Sequence, residues 1–200
     1  MIFENFETST LSPSAGKSVS VTPWSAILVI YLIIYTPLKK KSAYATEAGA
    51  ISGALPPLIG WVAAAGEPSV YGWILFGILF TWQLPHFMAI AWNFRKDYQT
   101  GGFKLHKLGN PDGFHLARKS LIYSILLTVF VFSPFFVNSN QPPPGNLYLV
   151  SSILLSFYLL KPAYNFLFSS DRDHSARKLF FVTIIYLPLL LAILVIDRFL

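Results

Sequence analysis

The sequence predicts an all-α fold, a polytopic membrane bundle of about six transmembrane helices. Three observations predict it: an apolar composition, six stretches long enough to cross a bilayer, and a one-sided distribution of basic residues. Hydrophobic residues make up 54% of the 200 residues and charged residues 12%, and the mean hydropathy is +0.54. A soluble domain of this length needs far more polar surface. The chain has no cysteine, which excludes disulfides and thiolate metal sites.

The first 20 residues differ from the rest of the chain. They are polar and rich in Ser and Thr, and Glu4 and Glu7 stand where a signal peptide would be positively charged. We therefore predict a flexible, exposed segment over residues 1–20, followed by one transmembrane domain over residues 21–200.

Six apolar stretches approach the ~20 residues that the hydrocarbon core requires. We place the predicted spans at 21–38, 47–65, 70–93, 119–138, 146–168 and 178–197. The second span carries Gly49 and Gly53 four residues apart, a spacing that lets another helix approach closely. Its consecutive Pro56 and Pro57 predict a break or kink. A broken span suits either helix packing or the wall of a cavity, and the sequence leaves both open.

The connections after the first, third and fifth predicted spans contain most of the basic residues. Twelve of the 15 lie there: Lys39, Lys40, Lys41, Arg95, Lys96, Lys104, Lys107, Arg118, Lys119, Arg172, Arg177 and Lys178. The positive-inside rule predicts that these connections are cytoplasmic and that both termini lie outside. The net charge of +6 is then a feature of membrane topology, and no nucleic-acid partner is expected.

A polar stripe runs along the third predicted span. At 3.6 residues per turn, one helix face carries Gln83, His86, Ile90, Asn93 and Asp97. Exposing such a stripe to lipid would cost free energy, so it predicts one wall of a pocket that opens to the cytoplasm. Pro85 predicts a kink in the same helix. Taken alone, His86 is more often an interhelical hydrogen-bonding residue than a ligand.

The stripe ends in a charged cluster at the predicted membrane surface. Asp97 follows the basic pair Arg95 and Lys96. A carboxylate there could hold Mg²⁺ against phosphate oxygens, and the basic pair could neutralise departing phosphates. The cluster therefore suits a substrate with an anionic head and an apolar tail. The alternative is that Asp97 is a solvated carboxylate and that Arg95 and Lys96 only help to set the orientation of the chain in the membrane.

Four segments of the chain resemble signatures of one enzyme family. They are "YTPLKKKS" (35–42), "GAISGALPPLIGW" (49–61), "WQLPHFMAIAW" (82–92) and "KDYQTGGFKL" (96–105). In order and spacing they resemble the protohaem IX farnesyltransferases, or haem O synthases, which are UbiA-type intramembrane prenyltransferases. The segment "ARKLFFVTIIYLPLLL" (176–191) resembles the last span of that family, and the resemblance covers about residues 25–198.

This resemblance implies an activity and a site. Such enzymes transfer a farnesyl group from farnesyl diphosphate to a vinyl group of haem B, which gives haem O for terminal oxidases. They are usually bundles of nine helices with a cytoplasmic cavity, whose mouth binds Mg²⁺ and diphosphate. Carried over to this chain, the resemblance makes Asp97 the metal-linked carboxylate and implies diphosphate contacts at Arg95, Lys96, Lys39 and Lys40. It implies cavity residues, for the tail or the porphyrin, at Gln83, His86, Asn93 and Tyr98.

The resemblance also implies partners and a location. The substrates would be haem B and farnesyl diphosphate, and the chain would lie in the bilayer of the cytoplasmic inner membrane. Contact with haem A synthase or with oxidase assembly is a further implication.

One departure from the family bears on activity. The family has an Asp-rich motif between its second and third spans, and this chain has no such sequence. Its first span resembles the fourth span of the family, so the chain resembles the C-terminal two-thirds of a haem O synthase. We therefore expect the chain alone to be inactive.

Two other classes stay open at this stage. The first is a non-catalytic haem- or lipid-binding membrane protein in which His86, His106 or His115 ligates iron. The second is a small transporter, although the sequence shows no inverted internal repeat.

Overall fold

The structure, a computed structural model, describes residues 45–100, 112–137 and 142–200, except the side chains of residues 45, 98 and 99. Every regular element in these ranges is helical. The elements are α1 (Ala45–Ala65), α2 (Val70–Asn93), α3 (Arg95–Thr100), α4 (Phe114–Phe132), a 3₁₀ turn (Ser133–Phe135), α5 (Asn146–Phe168) and α6 (Arg172–Ile196). The all-α prediction is confirmed. The predicted segment 1–20 and the predicted span 21–38 lie outside the described residues.

Five of these helical segments are long and apolar enough to cross a membrane. They are Thr46–Ala65, Val70–Asn93, Phe114–Phe135, Asn146–Phe168 and Arg172–Ile196, with mean hydropathies between 1.3 and 2.9. Much of their exposed surface is apolar, including Val129, Leu154 and Phe181. An apolar outer surface over helices of this length suits a lipid environment. The chain is a multi-pass membrane protein.

The central helix of the bundle is α2, which packs against α1, α4 and α6. Because α5 packs against both α4 and α6, the helices α2, α4, α5 and α6 close a ring, and α1 flanks α2. Fully buried side chains inside this ring include Leu84, Leu127, Phe166 and Leu179. The phenyl ring of Phe130 in α4 packs directly on the α2 backbone at Gly77, since a Cβ at Gly77 would lie 2.3 Å from the phenyl Cε1.

Two indole hydrogen bonds fix the register between α2 and α6. Trp82 Nε1 donates to the carbonyl of Thr183 at 2.8 Å, and Trp92 Nε1 donates to Asp173 Oδ1 at 2.7 Å. The two indoles are separated along α2 by the same number of residues as their acceptors along α6, in the reverse direction. The helices therefore run antiparallel, and the basic end of α2 meets the basic start of α6.

The second span is not broken at its prolines, and the alternative of a kink stays a prediction. Helix α1 continues through Pro56 and Pro57, and α2 likewise continues through Pro85. Each interior proline lacks an N–H group and so removes one hydrogen bond to the carbonyl four residues earlier. The φ angle of proline is nevertheless close to the helical value, and the turns on both sides keep their own bonds. Membrane helices tolerate proline for this reason together with packing by their neighbours.

Candidate functional site

One end of the bundle carries a basic rim, formed by the C-terminal end of α2, by α3 and by the N-terminal ends of α4 and α6. Its basic residues, in the described part of the chain, are Arg95, Lys96, Arg118, Lys119, Arg172, Arg177 and Lys178. Contacts between helices hold the rim together. Arg172 donates to the backbone carbonyl of Asp112, just before α4, and to that of Leu167 in α5. The rim is therefore a single surface assembled from distant parts of the sequence.

Arg95 is fixed at this rim by a residue of the last helix. Its guanidinium forms an ion pair with Asp173 at 3.0 Å, donates to the carbonyl of Trp92 at 3.1 Å and lies 4.5 Å from the indole centroid. The other carboxylate oxygen of Asp173 accepts from the Trp92 indole. The carboxylate thus joins a cation and an aromatic donor from α2 and α3 to the first turn of α6. Sequence reasoning missed Asp173, because a helical period assigns no partner 78 residues away.

Trp92 also contacts the residue that begins α4. Gly113 is the N-cap of α4 and has a φ of 68°, a left-handed conformation that favours glycine. A Cβ at Gly113 would lie 2.0 Å from Cζ3 of Trp92. The absence of a side chain at this position therefore lets the start of α4 reach the indole.

Lys96 and Asp97 lie in the first turn of α3, and both are exposed. They differ in this from Arg95, whose charge is paired with Asp173. Among the described residues, no group of three or more His, Asp and Glu side chains could hold a metal ion. Mg²⁺ is usually held by one or two carboxylates together with phosphate oxygens. Asp97 fits one position of such a site, and the described residues do not supply a complete one.

The inner members of the polar stripe contact two different helices. Gln83 is buried against α1, where a Cβ at Gly53 would lie 2.3 Å from its Oε1. His86 contacts α6, and Asn93 is half-buried at the end of α2. The stripe therefore follows α2 between the sides that face α1 and α6. The side chain of Tyr98 and both Lys39 and Lys40 lie outside the described residues.

His86 is held by three neighbours. Its imidazole stacks between Trp82, at a centroid distance of 5.3 Å and an interplanar angle of 14°, and Phe180, at 5.2 Å and 21°. Its Nδ1 lies 2.9 Å from the hydroxyl oxygen of Thr183. The side chain is half-buried within a membrane span. The interhelical hydrogen bond that the sequence left open is present, and it orients the ring.

A second ion pair joins α1 to the same rim. Lys119 Nζ lies 2.6 Å from Glu47 Oε1, and the two side chains are 28% and 16% exposed. This pair links the first turn of α1 to the first turns of α4. Because both partners are largely shielded from water, the attraction is stronger than in an exposed pair, and it offsets part of the cost of burying the charges.

The fold and the rim together define a polytopic helical membrane protein with a charged site at one membrane surface. The sequence model of the UbiA prenyltransferase family matches residues 16–185 of the chain. The chain belongs to this family.

Three curated relatives, each named protoheme IX farnesyltransferase, show how the chain compares. The relative from Opitutus terrae is 44% identical over 168 residues, which cover 84% of this chain and 56% of the relative. The relative from Solibacter usitatus is 37% identical over 171 residues, covering 86% and 57%. The relative from Rhodopirellula baltica is 36% identical over 199 residues, covering 92% and 69%. The chain spans little more than half the length of the first two, and no solved structure matches it.

Proposed function

We propose that this chain forms part of a protohaem IX farnesyltransferase, which transfers a farnesyl group from farnesyl diphosphate to a vinyl group of haem B and so makes haem O. The observation that carries the proposal is the match to protoheme IX farnesyltransferases over 84% to 92% of the chain. The basic rim and the polar stripe support it, because they suit an anionic head at the membrane surface and an apolar partner inside the membrane.

The proposed roles at the rim follow from charge and exposure. Lys96 is exposed and would contact the diphosphate directly, together with Lys39 and Lys40. Arg95 would contribute its positive charge from the position that Asp173 and Trp92 fix. As the farnesyl carbon–oxygen bond breaks, negative charge develops on the departing diphosphate. Cations already in place stabilise that charge without reorganising.

Asp97 would hold one coordination position of a Mg²⁺ ion shared with the diphosphate, and the other positions would come from phosphate oxygens, water and residues outside the described ranges. When bound, Mg²⁺ would supply Lewis-acid assistance to the departure of the diphosphate. The exposed position of Asp97 supports this role, since an exposed carboxylate at the mouth of a cavity can meet an incoming ligand.

The stripe on α2 would bind the apolar parts of the two substrates. His86 and its aromatic neighbours form an apolar aromatic cluster that suits contact with a porphyrin. Gln83 and Asn93 would border the space along α2 above and below this level, and Tyr98 would lie near the mouth. This arrangement would place the vinyl group near the farnesyl carbon that the diphosphate leaves.

A chimera tests the proposal. In the Opitutus terrae relative, the part that this chain matches is replaced by the chain, and membranes are assayed for haem O with haem B, farnesyl diphosphate and Mg²⁺. We expect the chimera to make haem O and the 200-residue chain alone to make none. A chimera that inserts into the membrane and folds, yet forms no farnesylated haem, would contradict the proposal. Haem O from the chain alone would overturn the expected need for further acidic residues.

The proposed location is the cytoplasmic inner membrane, with the basic rim on the cytoplasmic side. Contact with haem A synthase or with oxidase assembly would follow from the same location. Because the chain has no cysteine, single-cysteine variants report topology without background. We expect cysteine at Gly109 to resist a membrane-impermeant reagent in intact cells and cysteine at Glu67, between α1 and α2, to react. The opposite result would reverse the orientation.

A further inference from the structure

Two short contacts at Thr183 determine which ring nitrogen of His86 carries a proton. The Thr183 hydroxyl oxygen lies 2.7 Å from the carbonyl oxygen of Phe180 and 2.9 Å from Nδ1 of His86. Both contacts need a hydrogen between the heavy atoms, and the hydroxyl has only one to give. The carbonyl cannot donate, so the hydroxyl proton goes to Phe180. The second proton must then lie on Nδ1, which donates to Thr183.

A neutral His86 in this tautomer has an unprotonated Nε2 with a free lone pair. Nδ1 is the ring atom that the described residues engage in a hydrogen bond, which leaves Nε2 for a ligand. An ionisable side chain inside a span is costly unless it faces a cavity or a partner. The side chain is half-buried and not fully enclosed by the helices, so a ligand could reach the ring.

The stacked rings limit how a ligand can approach Nε2. Trp82 and Phe180 cover the two faces of the imidazole, with ring planes within 14° and 21° of it. The approach that stays open is along the edge of the ring, in its plane. An axial bond from imidazole to a haem iron lies in that plane, so the porphyrin would stand across the stack and contact the edges of both aromatic rings.

The depth of His86 also suits a haem below a diphosphate. Asn93, at the end of α2, lies seven positions after His86, which corresponds to about 10 Å along a helix. A tetrapyrrole bound through its iron at this depth would extend toward the basic rim, where Lys96 and Asp97 are exposed.

We infer that His86 binds the iron of the substrate haem through Nε2, and that Thr183 fixes the tautomer that makes this possible. The inference rests on the proposed function for haem as the substrate and deepens it by naming the atom that binds. Histidine that ligates a metal generally donates its other ring N–H to an oxygen acceptor, which fixes the tautomer and strengthens the ligand. In His86 the acceptor is the hydroxyl of a neighbouring helix.

The test combines haem titration with spectroscopy on the 200-residue chain in lipid nanodiscs. Ferric haem B is titrated to obtain Kd, and the complex is then reduced and examined by resonance Raman for an iron–imidazole stretching band. We expect the band in the wild-type chain, its loss in His86→Ala, and its return when imidazole is added to that variant. His115→Ala is the matched control, since His115 is exposed near the basic rim, and it should keep both the band and the Kd.

Thr183→Val separates a ligand role from a structural one. It keeps the size of the side chain and removes the acceptor for the Nδ1 proton. We expect it to shift the iron–imidazole band and to weaken haem affinity by about tenfold, as for loss of other partners of metal-bound histidines. This variant keeps the inference testable if His86→Ala does not fold.

The outcomes distinguish the inference from the function on which it rests. Haem that binds with an unchanged band in His86→Ala would overturn the inference and leave haem as a substrate. Haem that fails to bind the wild-type chain would overturn the inference, whereas the proposed function is decided separately by haem O formation in the chimera. A band that Thr183→Val leaves unmoved would contradict the role given to the threonine.

Discussion

At the basic rim several charged side chains are exposed, among them Lys96 and Asp97. At the opposite rim the two charged residues that follow α6 are bound to backbone groups. There Asp197 accepts from the backbone N–H groups of Gly145 and Tyr148, and Arg198 donates to the carbonyl of Pro142 at 2.9 Å. Asp197 thus caps α5, whose own N-cap residue is glycine and offers no side chain. Charged side chains that are hydrogen-bonded to backbone groups stabilise the helix ends. Charged side chains that are exposed to water are available to bind a ligand. Similar residue types are therefore bound to backbone groups at one end of the bundle and exposed to water at the other.

The contrast between the two rims is tested most strongly by a substitution at Asp97 in the active chimera, where the largest loss of turnover is expected. Asp97→Asn keeps the size of the side chain and removes its charge, so turnover should fall by roughly a hundredfold or more, as for loss of other pre-organised electrostatic groups. Helix packing should survive, because the residue is exposed. The measurement is haem O formation at varied Mg²⁺ and farnesyl diphosphate. Asp112→Asn, an exposed carboxylate at the same rim, is the control, and equal turnover in both variants would refute the assignment of Asp97.

Gly113 tests how the basic rim is built. Gly113→Ala introduces a side chain into a left-handed backbone conformation and against the Trp92 ring. We expect stability to fall by roughly 2 kcal/mol or more. The measurement is unfolding in detergent, followed by circular dichroism. Gly60→Ala is the control, because nothing lies within 4 Å of the added Cβ and alanine favours a helix by up to about 1 kcal/mol. Equal destabilisation of both variants would show that the contact with Trp92 has no special role.

Lys96 tests whether an exposed cation at the rim binds substrate. Lys96→Ala should raise the apparent KM for farnesyl diphosphate by about tenfold, which is the affinity expected from one hydrogen bond to a charged group. The stability of the protein should change little. Lys178→Ala is the control, since Lys178 is exposed at the same rim on α6, and its effect should stay below about twofold. If both variants keep the wild-type KM, Lys96 does not bind the substrate and contributes only to membrane orientation.

The smallest effect is expected at the opposite rim. Asp197→Ala removes the cap of α5 and should lower stability by about 1 kcal/mol, without changing the KM of the chimera for farnesyl diphosphate. Glu67→Ala, which replaces an exposed carboxylate in the α1–α2 connection, should stay within about 0.5 kcal/mol of wild type. A change in substrate KM in the Asp197 variant would remove the functional difference between the two rims.

Hydropathy predicted some helix bounds well and others less well. The predicted spans 70–93 and 146–168 coincide with α2 and α5, whereas α4 and α6 begin at Phe114 and Arg172, ahead of the predicted 119 and 178. A hydropathy pattern ends where charges begin, but the hydrogen bonds of a helix continue through charged turns that lie in water. A capping signal was available at α6, where Asp171 accepts from the N–H of His174 at 3.0 Å.

The sequence predicted which side chains share a helix face, but it did not predict their contact partners on other helices. A helical period places His86 and Gln83 on one side of α2, and the structure assigns one to α6 and the other to α1. The partners Thr183 and Asp173 lie 97 and 78 residues away from His86 and Arg95. Their choice depends on which helices pack together and in which register, and a single sequence carries no direct signal of that.

The paired indole bonds between α2 and α6 have a mechanical consequence. A single bond between two helices allows them to pivot about it. Here one bond lies near the middle of both helices and the other at their basic ends, and the two together resist tilting as well as sliding. In the described part of the chain, helix α1 packs chiefly on α2, and the ion pair of Glu47 with Lys119 joins it to the basic rim. Among the described membrane-length helices, α1 is therefore the one that could move outward with the fewest packed neighbours to separate, while the α2–α6 pair stays in place.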